Sequence, residues 1–282
     1  MQNSTQRPLI VAFVSDLMFT SKIANVVRHI DFRVEWVETA VSLGSTQPTP
    51  RPHPPGERLE GQTGALFNQL VQWQPALLLF DLTNQAIPWA NWIAALKSSP
   101  ATRNMPVICF GPHEDVALFT EARRVGADSV FARSRFTTAM PELLQKHANR
   151  IDYAALQTSC SDPLPDLASK GIALFNQGKY YQCHDDLEAA WRADTTPARN
   201  LYKGILQVGI ALYQVERGNY RGAIKMLLRV RQWLDPLPDI CRGVHIAPFR
   251  ANAYQIQDII MELGPEHLSN FDWALVEPIE TD

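Results

Sequence analysis

The sequence has no apolar stretch long enough to cross a membrane and no Cys-x-x-Cys pair. Its first apolar run, Leu9 to Val14, is shorter than the core of a secretory signal peptide and lacks a small-residue cleavage site, so we expect no leader. The four cysteines are scattered, at Cys109, Cys160, Cys183 and Cys241. We therefore expect reduced thiols in a cytoplasmic protein, and neither a disulfide framework nor a cysteine zinc site.

Signatures of nucleotide binding and serine hydrolysis are also missing. There is no G-x-G-x-x-G, no Walker phosphate loop and no G-x-S-x-G. The net charge is −3 over 282 residues and no lysine-rich arm is present, so we predict no binding to nucleic acid or membranes. With 46% hydrophobic and 20% charged residues, the composition is that of a globular protein of two domains.

Residues 8–148 alternate short apolar runs with amphipathic segments. The predicted strands span 9–16, 32–38, 76–82, 106–111 and 128–132. The predicted helices span 18–30, 62–73, 88–98, 114–126 and 136–150. Apolar strands separated by helices are typical of parallel sheets buried on both faces, so we predict a flavodoxin-like α/β domain over residues 1–150. A proline-rich insertion near residues 44–61 separates its second strand from its second helix.

From residue 166 onward the sequence has helical spacing and no strand pattern, and residues 151–165 are interpreted as a linker. The predicted helices span 166–176, 180–193, 198–216, 220–234 and 248–263. GIALFNQGKYYQ, residues 171–182, resembles GIALYQVERGNYRG, residues 209–222, and this internal repeat predicts two stacked helical hairpins. Gly178 and Gly218 would permit the tight turn within each hairpin. We predict a compact all-α domain over residues 166–282.

The stretch YYQCHDDLEAAWR, residues 180–192, places three side chains on one helix face. His184, Glu188 and Trp191 are spaced by four and three residues. The matching positions of the second hairpin are apolar, so we expect His184 and Glu188 to point inward or into a groove. Three interpretations stay open: a structural ion pair, an acid–base pair, or two ligands of a transition metal that would need a third ligand from elsewhere.

Three motifs in order resemble the helical domain-of-unknown-function 309 family, which is sometimes labelled a predicted metal-dependent hydrolase. They are F-N-x-G-x-Y-Y-x-x-H-D-x-L-E-x-x-W from Phe175, G-I-L-Q-V-G-I-A-L-Y from Gly204, and R-G-N-Y-R-G-A from Arg217. The resemblance covers about residues 166–235 and implies an all-helical fold.

The same resemblance assigns roles to single residues. His184, Glu188, Trp191 and Gln207 match the polar and aromatic signature of the family. Gln214 stands where many members carry a histidine, so this chain lacks a natural candidate for a further ligand or base.

The first half resembles, more loosely, the receiver domain of response regulators. Asp81, at the end of LLLFD, falls on the phosphoacceptor position, and Asp16 matches one of the two acids that hold magnesium. Ser15 occupies the place of the other acid, Gly111 that of the expected hydroxyl residue, and Arg133 that of the lysine. The resemblance implies a magnesium site at Asp16 and Asp81 that these replacements weaken.

Three functions are compatible with these features. The first is a signalling protein in which a degenerate receiver domain is coupled to a helical domain and binds a protein partner or small ligand. The second is a hydrolase that activates water on a metal held by His184 and Glu188. The third is a non-catalytic interaction module in which His184 and Glu188 are a structural pair.

Overall fold

The computed structural model describes residues 7–40 and 61–282, and the chain divides into two compact units between Arg150 and Ile151. The proline-rich insertion near residues 44–61 lies, apart from Gly61, outside these residues. Within the described ranges, no helix has the length and apolar character needed to traverse a bilayer.

The first unit contains a five-stranded parallel sheet. Its strands are β1 (Leu9–Phe13), β2 (Arg33–Trp36), β3 (Leu77–Asp81), β4 (Val107–Gly111) and β5 (Ser129–Ala132). Every residue of β1, β3 and β4 is buried, because helices cover both faces of the sheet. The strand order β2-β1-β3-β4-β5, with all neighbours parallel, is that of flavodoxin-like folds and confirms the predicted α/β fold.

In the described residues, six α-helices connect and follow these strands. They are α1 (Leu17–His29), α2 (Gly61–Trp73), α3 (Trp89–Ser98), α4 (Val116–Arg124), α5 (Arg133–Thr138) and α6 (Met140–His147). The single helix predicted over 136–150 is therefore two helices. Pro141 lies in the first turn of α6, where its missing N–H group is tolerated, whereas the interior of one continuous helix would lose a hydrogen bond there.

The second unit is built mainly of helices, which confirms the all-α prediction. They are α7 (Tyr153–Cys160), α8 (Asp166–Asn176), α9 (Cys183–Ala193), α10 (Asn200–Glu216), α11 (Tyr220–Leu227), α12 (Arg231–Leu234) and α13 (Ile246–Leu263). The pairs α8–α9 and α10–α11 pack as hairpins, and α13 packs on α11. Gly178 and Gly218 adopt φ of 73° and 66°, which confirms their predicted role in the turns.

Three segments of this unit differ from the sequence-based prediction. The single helix predicted over 220–234 is two helices, α11 and α12. Residues 151–165, interpreted as a linker, include α7, and its Leu156 lies in the core of the helical unit. Two short antiparallel strands, β6 (Ile240–Cys241) and β7 (Val244–His245), occur where no strand was predicted. The two residues between them both have positive φ, the geometry of a tight hairpin turn, and strands of two residues are too short to show an alternating pattern.

The helical unit also contains a disulfide, so the expectation of four reduced thiols is wrong for one pair. Cys160 and Cys241 are bonded although 81 residues separate them. The backbone N–H of Arg242 donates to the carbonyl of Cys160 at 2.7 Å and holds β6 against the end of α7. Cys109 and Cys183 are buried free thiols, and burial raises the pKa of Cys183 to about 12.

Candidate functional site

The carboxylate of Asp81 lies at the carboxyl end of β3, where ligands of open α/β sheets bind. Only 2% of the residue is exposed. Its Oδ1 accepts hydrogen bonds from the backbone N–H of Thr83 at 2.9 Å and from the Thr83 hydroxyl at 2.7 Å. Sequence reasoning missed Thr83, although a residue two positions after an aspartate often donates to it in a local turn.

Arg133 forms an ion pair with Asp81. Its Nη2 lies 3.1 Å from each carboxylate oxygen and donates to the Thr83 hydroxyl at 2.8 Å. The guanidinium also lies over the rings of Phe19, at 4.8 Å from the centroid, and Phe110, at 6.0 Å. Arg133 follows β5 directly, and parallel strands place their carboxyl ends at one edge, so residues 52 positions apart meet there.

The other receiver-like positions do not join this pair. The carboxylate of Asp16 caps α1, accepting from the backbone N–H groups of Met18 at 2.8 Å and Phe19 at 3.2 Å. Gly111 ends β4 and supplies no hydroxyl, and a Cβ at this position would meet Leu118 and not the ion pair.

These residues do not fit the magnesium ion that the receiver resemblance implies. Magnesium takes oxygen ligands in octahedral geometry, usually including carboxylates. Here both oxygens of Asp81 already bind a guanidinium, and Asp16 is an exposed helix cap. Among the described residues, no three His, Cys, Asp or Glu side chains are grouped to hold a metal.

The second candidate site is the face of α9 that carries His184 and Glu188. Their side chains are 33% and 32% exposed, so they lie at the surface of the helical unit and not in its core. The closest approach between them, from Nε2 to Oε2, is 3.9 Å. Glu188 instead accepts a hydrogen bond from Arg192 at 2.9 Å, and His184 Nδ1 lies 3.1 Å from Asp185 Oδ1.

This arrangement does not fit a transition metal. A zinc site needs at least three protein ligands, and the described part of the chain groups no third ligand with His184 and Glu188. The guanidinium of Arg192 binds the carboxylate that a metal would need. Gln214, at the position of the missing family histidine, accepts a hydrogen bond from Asn219 at 2.7 Å in the turn between α10 and α11.

Trp191 and Gln207, unlike the partly exposed His184 and Glu188, are packed against or within the core of the helical unit. Trp191 packs against the hydrophobic core of the helical unit, and the cations of Arg199 and Lys203 lie over its ring, 4.6 and 3.8 Å from the centroid. Gln207 is buried, and its carbonyl oxygen has no hydrogen-bond donor within the described ranges. Sequence reasoning did not single out Arg199 and Lys203, whose four-residue spacing on the start of α10 was the available signal.

Comparison with protein families agrees with the motif analysis of the helical unit. Residues 168–226 match the model of DUF309, a domain of unknown function. The match contains the signature positions His184, Glu188, Trp191 and Gln207 and confirms the predicted resemblance. No curated protein matches the chain in sequence.

Several solved structures similar to the first half of the chain are response regulators or their receiver domains. One acts in red light signaling of R. palustris and is 14% identical, with a TM-score of 0.36 over 49% of this chain and 92% of that chain. A phosphorylated cyanobacterial phytochrome response regulator is 12% identical, with a TM-score of 0.38 over 50% and 94% of the two chains. A receiver domain from Rhodospirillum rubrum is 18% identical, with a TM-score of 0.36 over 48% and 89%.

Proposed function

We propose that this chain is a receiver-like regulatory protein whose first unit works without phosphorylation. The ion pair between Arg133 and Asp81 would keep the Asp81 carboxylate in one fixed arrangement. The carrying observation is the contact of one guanidinium nitrogen with both Asp81 oxygens at 3.1 Å. The edge of the sheet around this pair would bind a protein partner or a small ligand, and the helical unit would be the coupled domain.

The chemistry of phosphoryl transfer supports the proposal. Transfer to an aspartate requires a carboxylate oxygen free to attack and a divalent ion that neutralises the phosphoryl oxygens. In this site the carboxylate accepts hydrogen bonds from Thr83 and Arg133, and the guanidinium supplies a fixed positive charge beside it. Arg133 thus contacts the carboxylate oxygens that a divalent ion would need. It stands at the sequence position where a receiver domain carries the lysine that binds the phosphate.

The first test is phosphorylation by acetyl phosphate with MgCl₂, measured by intact-protein mass spectrometry. We expect no phosphate-sized mass increase in the unaltered protein, because Asp81 is occupied by Arg133. The Ser15→Asp, Arg133→Lys variant restores the acidic pair and the lysine, so its labelling should rise and depend on Asp81. Labelling of the unaltered protein that disappears in Asp81→Ala would contradict the proposal.

The second test measures the strength of the ion pair in a double-mutant cycle of Arg133→Gln and Asp81→Asn. Because the Asp81 side chain is 3% exposed, removing Arg133 leaves a buried carboxylate without its counter-ion. We expect a coupling energy of about 2 kcal/mol from urea unfolding of the first unit. The matched control is the exposed pair Arg124–Glu121, which should give a much smaller coupling energy because solvent screens both charges. Coupling at Arg133 no larger than in this control would show that the pair does not hold the site.

The two other hypotheses concern the helical unit, as a hydrolase or as an interaction module, and they are not equally supported. The hydrolase hypothesis needs a metal that His184 and Glu188 do not fit, because Arg192 occupies the carboxylate. The interaction-module hypothesis stays a prediction, since a non-catalytic role requires neither a metal nor a catalytic arrangement of His184 and Glu188.

A further inference from the structure

Two cations at the start of α10 lie close to a pair of tryptophans from two other helices, α9 and α12. Arg199 precedes α10, Lys203 lies in its first turn, and both cations face the ring of Trp191. The ammonium of Lys203 also lies 5.9 Å from the centroid of Trp233, on α12. The indole rings help to position the two cations, because the face of an aromatic ring attracts positive charge.

Among the described residues, acids do not balance the positive charge of Arg199 and Lys203. Neither Arg199 nor Lys203 belongs to an ion pair among the described residues, whereas Glu188 pairs with Arg192 and His184. Burial lowers the pKa of Lys203; Arg229, Arg199 and Arg192 lower it further, and the one acid acting on it, Glu188, opposes them. Like charges held this close repel one another, so the cluster costs stability unless an anion compensates it.

Buried polar atoms next to the cations lack partners as well. The indole Nε1 atoms of Trp191 and Trp233 and the carbonyl oxygen of Gln207 are buried without a hydrogen bond in the part of the chain that the structure describes. Gln207 lies one turn beyond Lys203 on the same face of α10. Unpaired buried polar groups are uncommon in folded proteins. The two indole N–H groups are donors beside unpaired cations and indicate an anion-binding site, whereas the Gln207 oxygen is an acceptor and would not contact an anion.

We propose that the surface where α9 packs on the start of α10 binds the phosphate group of a small molecule, with Lys203 and Arg199 as its principal contacts. Arg199, Arg192 and Lys203 itself carry three positive charges against Glu188, the one acid that acts on Lys203, and this excess suits a dianionic phosphate better than a single carboxylate. Arginine forks match phosphate oxygens, and lysine adds a compact charge. Glu188 lies at the margin of this site and weakens anion binding.

Isothermal titration calorimetry on the full chain tests the site, with inorganic phosphate and phenyl phosphate as probes and acetate as the monocarboxylate, all at matched ionic strength. Arg199→Gln with Lys203→Gln should weaken phosphate binding at least about tenfold, the effect of removing two charge-assisted contacts. Glu188→Gln should strengthen it about fivefold, because one repulsive charge is removed. The matched control is Arg221→Gln with Lys225→Gln, two exposed cations of α11, which should leave the affinity unchanged.

A second measurement locates the ligand even if the double variant folds poorly. The indole N–H signal of Trp191, assigned in proton–nitrogen spectra through Trp191→Phe, should shift as phosphate is added. Tighter binding by Glu188→Gln separates this site from a metal site, where loss of the carboxylate would abolish binding. Equal affinity for acetate and phosphate, no saturable binding, or unchanged affinity in the Arg199→Gln, Lys203→Gln variant would each overturn the proposal.

Discussion

Removing the Cys160–Cys241 disulfide is expected to lower the free energy of unfolding of the helical unit by about 4 kcal/mol. The bond closes a loop spanning 81 residues, which includes α8 to α12, and a cross-link over such a loop restricts the unfolded chain strongly. Hydrogen–deuterium exchange of α10 peptides at rising urea concentration, with Cys160→Ser and Cys241→Ser combined, measures the change for this unit alone.

Reduction supplies the control for this prediction. A thiol reductant should destabilise the unaltered protein by the same amount and leave the double serine variant unchanged, because Cys109 and Cys183 are already free. Equal stability of the oxidised protein and the double serine variant would show that the bond does not constrain the unfolded chain.

Replacing Arg242 by methionine is expected to destabilise the helical unit by about 3 to 5 kcal/mol, the range for removing one partner of a buried ion pair. Its side chain is 7% exposed and its Nη2 lies 2.9 Å from Oδ2 of Asp194, whose side chain is 9% exposed. The same guanidinium reaches the Thr196 hydroxyl at 3.3 Å and the carbonyl of Pro163 at 3.5 Å, so it joins three segments of the unit.

Two further variants separate the charge effect from lost packing. Adding Asp194→Asn to Arg242→Met should recover part of the stability, because the amide keeps the acceptor for the Thr196 N–H at 2.8 Å and removes the buried charge. Lys170→Met breaks the surface pair with Asp186, in which the lysine is 67% exposed, and should cost at most about 1 kcal/mol. An Arg242→Met effect as small as that of Lys170→Met would contradict the buried-pair interpretation.

The disulfide and the Arg242 ion pair are neighbours, so their effects should not be additive. Cys241 and Arg242 are adjacent, and the backbone N–H of Arg242 binds the carbonyl of Cys160. The disulfide joins the β6–β7 hairpin to the end of α7, and the ion pair joins the same hairpin to Asp194 at the end of α9. Once one interaction is removed, the other contributes less to stability, so removing both should cost less than the sum of the two single effects.

The sequence by itself determined most of the helices and strands and the edge of the sheet at which the first site lies. Apolar runs of five residues alternating with helical spacing were sufficient to predict β1, β3 and β4, because burial on both faces removes every polar position from such strands. The repeat of glycine-centred turns likewise predicted the two helical hairpins, since only glycine adopts positive φ there at little cost.

Only the tertiary structure decided which side chains meet. Arg133 and Asp81 are 52 residues apart, and the sequence placed them at equivalent strand ends without indicating that one would neutralise the other. The disulfide between Cys160 and Cys241 and the cations over Trp191 were not predicted at all. The spacing of apolar residues indicates which face of a helix or strand is buried. Contacts between distant elements depend on how whole helices and strands pack, and no local sequence pattern predicts that packing.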